Sequence, residues 1–246
     1  MKIYMIRHGK TAGNLKGRYI GKTDEPLCEE GRAELARGCY VLQEHSAGEA
    51  ADRRNGGDAA VSAGQKKDGD AAVSVGQKKD GDAAAPEALY VSPLLRCRQT
   101  AELLFPGIVQ SIVPDFRECD FGSFENKNYR ELSGDAAYQA WIDSGGTLPF
   151  PGGESREEFQ ERCVRAFRGM LAEAEKNGCR EIACVVHGGT IMSVLSAMAS
   201  VRRGYFDYQV KNGCGYLVEW KEGEQAGDVT VAGRIDCRDA ACREKE

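Results

Sequence analysis

Residues 2–9 read Lys-Ile-Tyr-Met-Ile-Arg-His-Gly, a short apolar run that ends abruptly in a cation, an imidazole and a glycine. An apolar run of this length bounded by a turn signal predicts a buried strand. Two more runs have the same form. Ala88-Leu89-Tyr90-Val91 leads into Ser92-Pro93-Leu94-Leu95-Arg96, and Ile182-Ala183-Cys184-Val185-Val186 leads into His187-Gly188-Gly189-Thr190. Helical patterns lie between the strands. The spacing of Ala33, Leu35, Ala36, Cys39, Tyr40 and Leu42 predicts a helix over 29–44. Ser92-Pro93 reads as an N-cap with proline at the first helical position, opening a helix to about 104. Ser155-Arg156-Glu157-Glu158 fits a capping box, and Phe159, Cys163, Phe167, Met170, Leu171 and Ala174 behind it follow a helical stripe that Gly178 ends. A strand is expected at 108–113, a helix from about 190 to 200, and paired strands at 215–220 and 229–235. Strands alternating with long helices predict an α/β fold, a three-layer α/β/α sandwich with a largely parallel central sheet.

One segment stands apart. Residues 57–68 (GDAAVSAGQKKD) and 69–80 (GDAAVSVGQKKD) differ only at Ala63 and Val75, and GDAA begins a third copy at 81–84. A 12-residue unit with almost no large apolar side chain cannot bury enough surface to offset the entropy of ordering it. We read 46–88 as a low-complexity, disordered insertion into one domain spanning 1–236, with 237–246 as a polar tail. Setting the insertion aside leaves 203 of the 246 residues, one domain's worth of chain.

Composition narrows the function classes. No apolar stretch is long enough to cross a membrane, and the N-terminal apolar run is too short for a secretory signal. A net charge of -5 disfavours general nucleic-acid binding. The 10 cysteines form no CxxC pair, and neither HxH nor HExxH occurs, so reduced thiols, a cytoplasmic location and the absence of a metal or other cofactor are expected. Oligomeric state is not legible.

In an open α/β sheet, ligands bind beyond the carboxyl ends of the parallel strands. That rule gathers residues near 8, 96 and 187 across large gaps in sequence. Two of the three histidines fall there, each followed by glycine, while His45 borders the insertion as a bystander. Two imidazoles and two guanidiniums with no carboxylate from the same motifs suit a compact dianion such as phosphate. Neighbouring cations keep a histidine neutral and able to attack phosphorus.

Arg7-His8-Gly9-Lys10-Thr11 with Asn14 resembles the signature of the histidine phosphatase superfamily, the phosphoglycerate-mutase-like proteins. Further matches follow in order: Gly21 with Asp24-Glu25-Pro26-Leu27 and Gly31, then Ser92 to Ala101, Glu118 to Glu125, Pro151 to Ser155, and Val186 to Gly189. The resemblance runs from residue 2 to about 220, skipping the insertion. It implies a phosphoglycerate-mutase-like fold and a metal-independent phosphatase acting on a small-molecule phosphate ester. It further implies that His8 becomes phosphohistidine, that Arg7, Asn14, Arg96 and His187 hold the phosphate, and that Glu118 donates the proton. Gly21 and Gly188 are expected to bind substrate beside them. Departures from the pattern are Lys10 where relatives often carry Glu, Phe124 for Trp and Asn126 for Gly. The stretch 117–155 looks most like the α-ribazole phosphatases of cobalamin assembly, where it covers the substrate. Tyr129, Tyr138, Trp141 and Phe150 read as a packed aromatic subdomain, of which Tyr129 and Trp141 are expected to touch substrate. A broad-range phosphomonoesterase, a phosphoglycerate mutase and a non-catalytic phospho-ligand module are the alternatives.

Overall fold

Alternation along the first strand, β1 (Lys2–Arg7), divides the core in two. Ile3 and Met5 pack into one apolar cluster, Ile6 into another. Strands buried on both faces read as continuous apolar runs, as these do. The computed structural model describes residues 1–44, 71–72, 85–221 and 229–239. Along the chain follow α1 (Ala12–Leu15), α2 (Glu29–Arg37), β2 (Gly38–Glu44), β3 (Ala71–Ala72), β4 (Ala88–Val91), α3 (Leu95–Leu104) and β5 (Gln110–Ile112). Then come α4 (Ala136–Asp143), α5 (Arg156–Lys176), β6 (Glu181–Val186), α6 (Gly188–Met198), β7 (Gly215–Glu219) and β8 (Thr230–Asp239).

The strands form one sheet in the order β3-β2-β8-β7-β1-β6-β4-β5. Its core half, β1-β6-β4-β5, is parallel, and the other half is antiparallel. Helices α5 and α6 share one apolar cluster with the sheet, and α2 and α3 share the other, which gives the three-layer α/β/α sandwich. The carboxyl ends of β1, β6 and β4 are aligned. His8 N donates to Val186 O (3.0 Å) and Ser92 N to Val185 O (3.1 Å), so the three polar motifs open at one edge. β7 lies close beside β1, and a Cβ at Gly215 would sit 1.9 Å from Met5 O.

Helix α5 begins at Ser155 with both capping-box bonds and buries the predicted stripe. Gly178, at φ +71°, follows its end. Helix α6 starts at Gly188, two residues before the expected position, with His187 as its N-cap. Two expectations are corrected. The helix predicted over 29–44 stops at Arg37, and Gly38–Glu44 is β2, paired antiparallel with β8. Glycine at 38 weakens the helix, and Tyr40-Val41 suits a strand that has a partner. Ser92 is also not a helix cap. α3 starts at Leu95, whose amide is taken by Asp24 Oδ1 at 2.6 Å, while the Ser92 hydroxyl bonds elsewhere.

Boundaries shift too. Ala88 belongs to β4 rather than to the insertion, and β8 runs into the expected tail as far as Asp239. Apart from Ala71–Ala72, which pair with Val41–Leu42 of β2, the repeat lies outside the described residues, as do His45 and 240–246. Cys97, Cys119, Cys163, Cys184 and Cys214 are buried thiols outside any disulfide. Among the described residues no helix is long and apolar enough to cross a membrane.

The sheet order puts β3 at the edge, four places from β1. Deletion of 57–84 is therefore expected to leave turnover of a phosphate monoester unchanged. Steady-state kinetics of the deletion variant checks this, and a large loss would place the repeat at the site.

Candidate active site

Residues that follow β1 and β6 line a cavity of about 420 Å³, and Arg96, which follows β4, lies close to both histidines. His8 is 3% exposed, and His187 and Arg96 are fully buried. The two imidazoles lie edge to face, with ring centroids 5.2 Å apart. His8 Nδ1 lies 2.7 Å from Gly9 O. A carbonyl oxygen only accepts, so Nδ1 carries the proton and Nε2 keeps its lone pair. Burial, then Arg96 and Arg7, hold His8 well below the usual histidine range, and the ring is neutral. His187 is depressed by burial first, then by Arg96. Its orientation is set by Ser92, whose Oγ lies 2.7 Å from His187 Nε2.

The guanidiniums are held by main-chain carbonyls. Arg7 Nη1 donates to Val210 O (2.7 Å). Arg96 donates through Nη1 to Thr23 O (2.8 Å) and through Nη2 to Gly21 O (2.9 Å). Neither arginine pairs with a carboxylate among the described residues, and the Nε of each is buried without a hydrogen-bond partner. Buried donors of this kind lack an acceptor until an anion arrives.

Asn14 is fixed by α1. Its Oδ1 accepts from Thr11 N (3.2 Å) and Asn212 Nδ2 (3.1 Å), which leaves the Asn14 amide donors for the cavity. Glu118 brings the carboxylate. Its Oε1 accepts from Cys119 N (3.0 Å) and its Oε2 from Gly189 N (3.4 Å), at the start of α6. Burial raises this carboxyl above the usual range, against the opposing pull of these amides and of both arginines.

Arg7, His8, Asn14, Glu118 and Gly188 thus line the cavity, with Arg96 and His187 packed among them. Trp141 lines it too, within an aromatic group that includes Tyr19, Phe121 and Phe150. Two expected substrate contacts fall elsewhere. Tyr129 is 61% exposed and lies under the Arg130 guanidinium outside the cavity, because its turn faces solvent. Gly21 is buried behind the site. Its N–H is held by the Glu125 carboxylate, and a Cβ there would meet Cys119 O at 1.9 Å.

Several site residues escaped the sequence reading. Asn212 precedes an antiparallel strand, so a search at the carboxyl ends of parallel strands passes over it, although the amino end of β7 opens at the same edge. Gly189, next to the expected Gly188, also belongs to the site, since a Cβ on it would strike Glu118 Oε1 at 2.4 Å. Arg156 lies over the Tyr205 ring (5.6 Å), and both line the cavity beside Phe206. The departures also find their places. Asn126 adopts φ +58°, a left-handed conformation that asparagine tolerates best after glycine. Phe124 is fully buried, and Lys10 pairs with Glu30 and Glu34 of α2. Among the described residues no three His, Cys, Asp or Glu side chains converge as metal ligands.

A family profile described as the histidine phosphatase superfamily (branch 1) matches residues 3–49 and 75–230, and its break falls inside the expected insertion, 46–88. An adenosylcobalamin/alpha-ribazole phosphatase of Salmonella typhimurium is 24% identical over 229 residues, covering 91% of this chain and 92% of its own. A 2,3-bisphosphoglycerate-dependent phosphoglycerate mutase 2 of Gloeobacter violaceus is 27% identical over 202 residues, covering 78% and 73%. The crystal structure of the alpha-ribazole phosphatase from Shigella flexneri superposes with a TM-score of 0.68 at 20% identity, over 95% of each chain, a likeness of fold.

The buried histidines make stability depend on pH. In the unfolded chain each protonates near the ordinary value of about 6.5, while the folded chain keeps both neutral. Below that pH the unfolded state binds more protons, so stability falls with falling pH by up to about 1.4 kcal/mol per unit for each histidine. Glu118, raised in the fold, acts in the opposite sense above its ordinary value. Urea midpoints measured between pH 7 and 5 are expected to fall with pH. The slope should become shallower in His187→Gln and steeper in Glu118→Gln, and a pH-independent midpoint in the wild type would contradict the burial of neutral rings.

Proposed function

The chain belongs to the histidine phosphatase superfamily, and on that premise we propose that it hydrolyses a phosphate monoester through a phosphohistidine on His8. The observation that carries the reading is a pair of guanidiniums, Arg96 buried and Arg7 half-buried, with no carboxylate partner among the described residues, beside a neutral imidazole whose Nε2 is unprotonated. Arg7, Arg96, Asn14 and His187 hold the phosphate in this reading, and the amides at the start of α6 add further donors. His8 Nε2 attacks phosphorus, and the P–O ester bond breaks. The charge on the equatorial oxygens meets fixed guanidinium donors, and Glu118 gives its proton to the departing oxygen. Water then attacks the phosphohistidine as Glu118 takes a proton. The P–N bond breaks, and inorganic phosphate leaves His8 neutral again. No step calls on a metal.

The substrate we propose is α-ribazole 5′-phosphate. Trp141, Tyr19, Phe121 and Phe150 offer a ring-bearing ester an aromatic surface, and the Trp141 indole N–H has no partner. The Salmonella relative supports the same assignment. Abundant free thiols suit a cytoplasmic setting. A mutase reading draws on the Gloeobacter relative, but a 203-residue core leaves little chain to close such a site against water.

Turnover of p-nitrophenyl phosphate in EDTA with an acid-labile phosphoenzyme is the expected result, with both lost in His8→Ala. Undiminished turnover in His8→Ala would end the mechanism. For substrate, α-ribazole 5′-phosphate is expected to exceed 3-phosphoglycerate and a panel of sugar phosphates in kcat/KM, and equal values across the panel would remove the assignment.

A further inference from the structure

Glu118 sits in irregular chain between two 3₁₀ turns, Pro114–Phe116 and Gly122–Phe124. No helix or strand fixes its position, so its carboxyl is only as well placed as the loop around it. Two side chains from outside the cavity grip that loop. Arg162, in α5, is 5% exposed. Its Nη1 donates to Asp115 O (2.8 Å) and Arg117 O (3.0 Å), and its Nη2 to Glu118 O (3.4 Å). Nε and Nη2 also form a two-pronged pair with Glu154 Oε1 (2.8 Å) and Oε2 (2.6 Å). Glu154 continues the grip on the far side of Glu118. Its Oε2 accepts from Asp120 N (2.9 Å), and its own N–H donates to Asp120 O (2.9 Å).

The pair therefore holds main-chain atoms of residues 115, 117, 118 and 120. The Arg162 guanidinium also lies over the Phe159 ring at 5.0 Å. Phe159 packs against Gly189, whose N–H bonds the Glu118 carboxylate. Loop, ring and helix start are thus tied to one cation. Buried ion pairs add little stability compared with apolar residues of similar size. Their better-attested use is to fix one geometry, and a planar fork bonded to three carbonyls suits that use.

We propose that Arg162 and Glu154 are positioning residues for proton transfer by Glu118, setting where its carboxyl meets the leaving oxygen. This rests on Glu118 being the proton donor, as read above. Neither residue touches substrate. The pair acts through the main chain of the loop, and a loose loop would leave phosphate binding intact while misplacing the proton.

The test compares two leaving groups. The phenolate of p-nitrophenyl phosphate departs without a proton, whereas an alkyl phosphate such as propyl phosphate releases an alkoxide that needs one. Glu118→Gln is expected to lower kcat/KM for the alkyl ester by roughly 10²–10⁴-fold and to spare the aryl ester. Arg162→Lys and Glu154→Gln are expected to show the same selective loss in kcat/KM in weaker form, since hydrolysis of the phosphohistidine, common to both esters, does not enter that ratio. Combining either with Glu118→Gln should add no further selectivity. The ratio of the two substrates is independent of the fraction of enzyme folded, so partial unfolding does not disguise the result. Equal losses on both esters in Arg162→Lys and Glu154→Gln, with Glu118→Gln still selective, would reduce the pair to a structural brace and overturn the proposal. An unselective Glu118→Gln would remove Glu118 as donor, and the proposal with it.

Discussion

Two guanidiniums, buried Arg96 and half-buried Arg7, stand at the edge of the sheet with no carboxylate paired to either among the described residues, and the Nε of each is buried. Burying an unpaired charge costs on the order of several kcal/mol per ion even after the surroundings relax. The chain lessens that cost with carbonyls from the 20–23 loop and Val210, and leaves the rest for an incoming anion. Other features of the cavity combine this field with burial. Burial first, and then this field, keep both imidazoles uncharged, and Gly9 O selects the tautomer of His8. The field also pulls against the desolvation that raises Glu118, so a carboxyl group belongs in the same cavity without collapsing into an ion pair. The net charge of -5 conceals all of this, because acidity spread over a surface says nothing of a buried cationic pocket.

The fold serves the field by alignment. β1, β6 and β4 end together, so arginine, histidine and serine separated by tens of residues arrive at one edge. The antiparallel half of the sheet adds Asn212 from the turn before β7, which ties the His8 carbonyl to Asn14. Glu118 comes from none of these strands. It depends on a loop braced from α5, where geometry is most easily lost.

Strand ends and the α5 stripe could be read from sequence because both depend on local patterns, apolar runs and helical spacing, that the finished fold leaves intact. Arg7, His8, Arg96 and His187 were legible for the same reason, since each lies at or near the end of a buried strand. Errors came where a distant partner decided the outcome. Residues 38–44 carry apolar spacing that suits a helix, but pairing with β8 makes them a strand. Ser92 has the chemistry of a cap, yet the neighbouring β6 delivers His187 to its hydroxyl. Tyr129 and Trp141 were alike in sequence and differ in the fold. Trp141 packs with Phe150 at the cavity, and Tyr129 lies in an exposed turn. The bracing of Glu118 by Arg162 had no sequence signal, because the contact joins a helix interior to carbonyls more than 40 residues away.

The central claim is that enclosure beside two unpaired guanidiniums makes His8 a neutral base with its lone pair on Nε2. Nitrogen-15 NMR of the imidazoles reads both charge and tautomer directly. The account predicts a neutral His8 ring protonated on Nδ1, unchanged from pH 8 down to well below the usual histidine midpoint. An imidazolium near pH 6.5, or a ring protonated on Nε2, would contradict it.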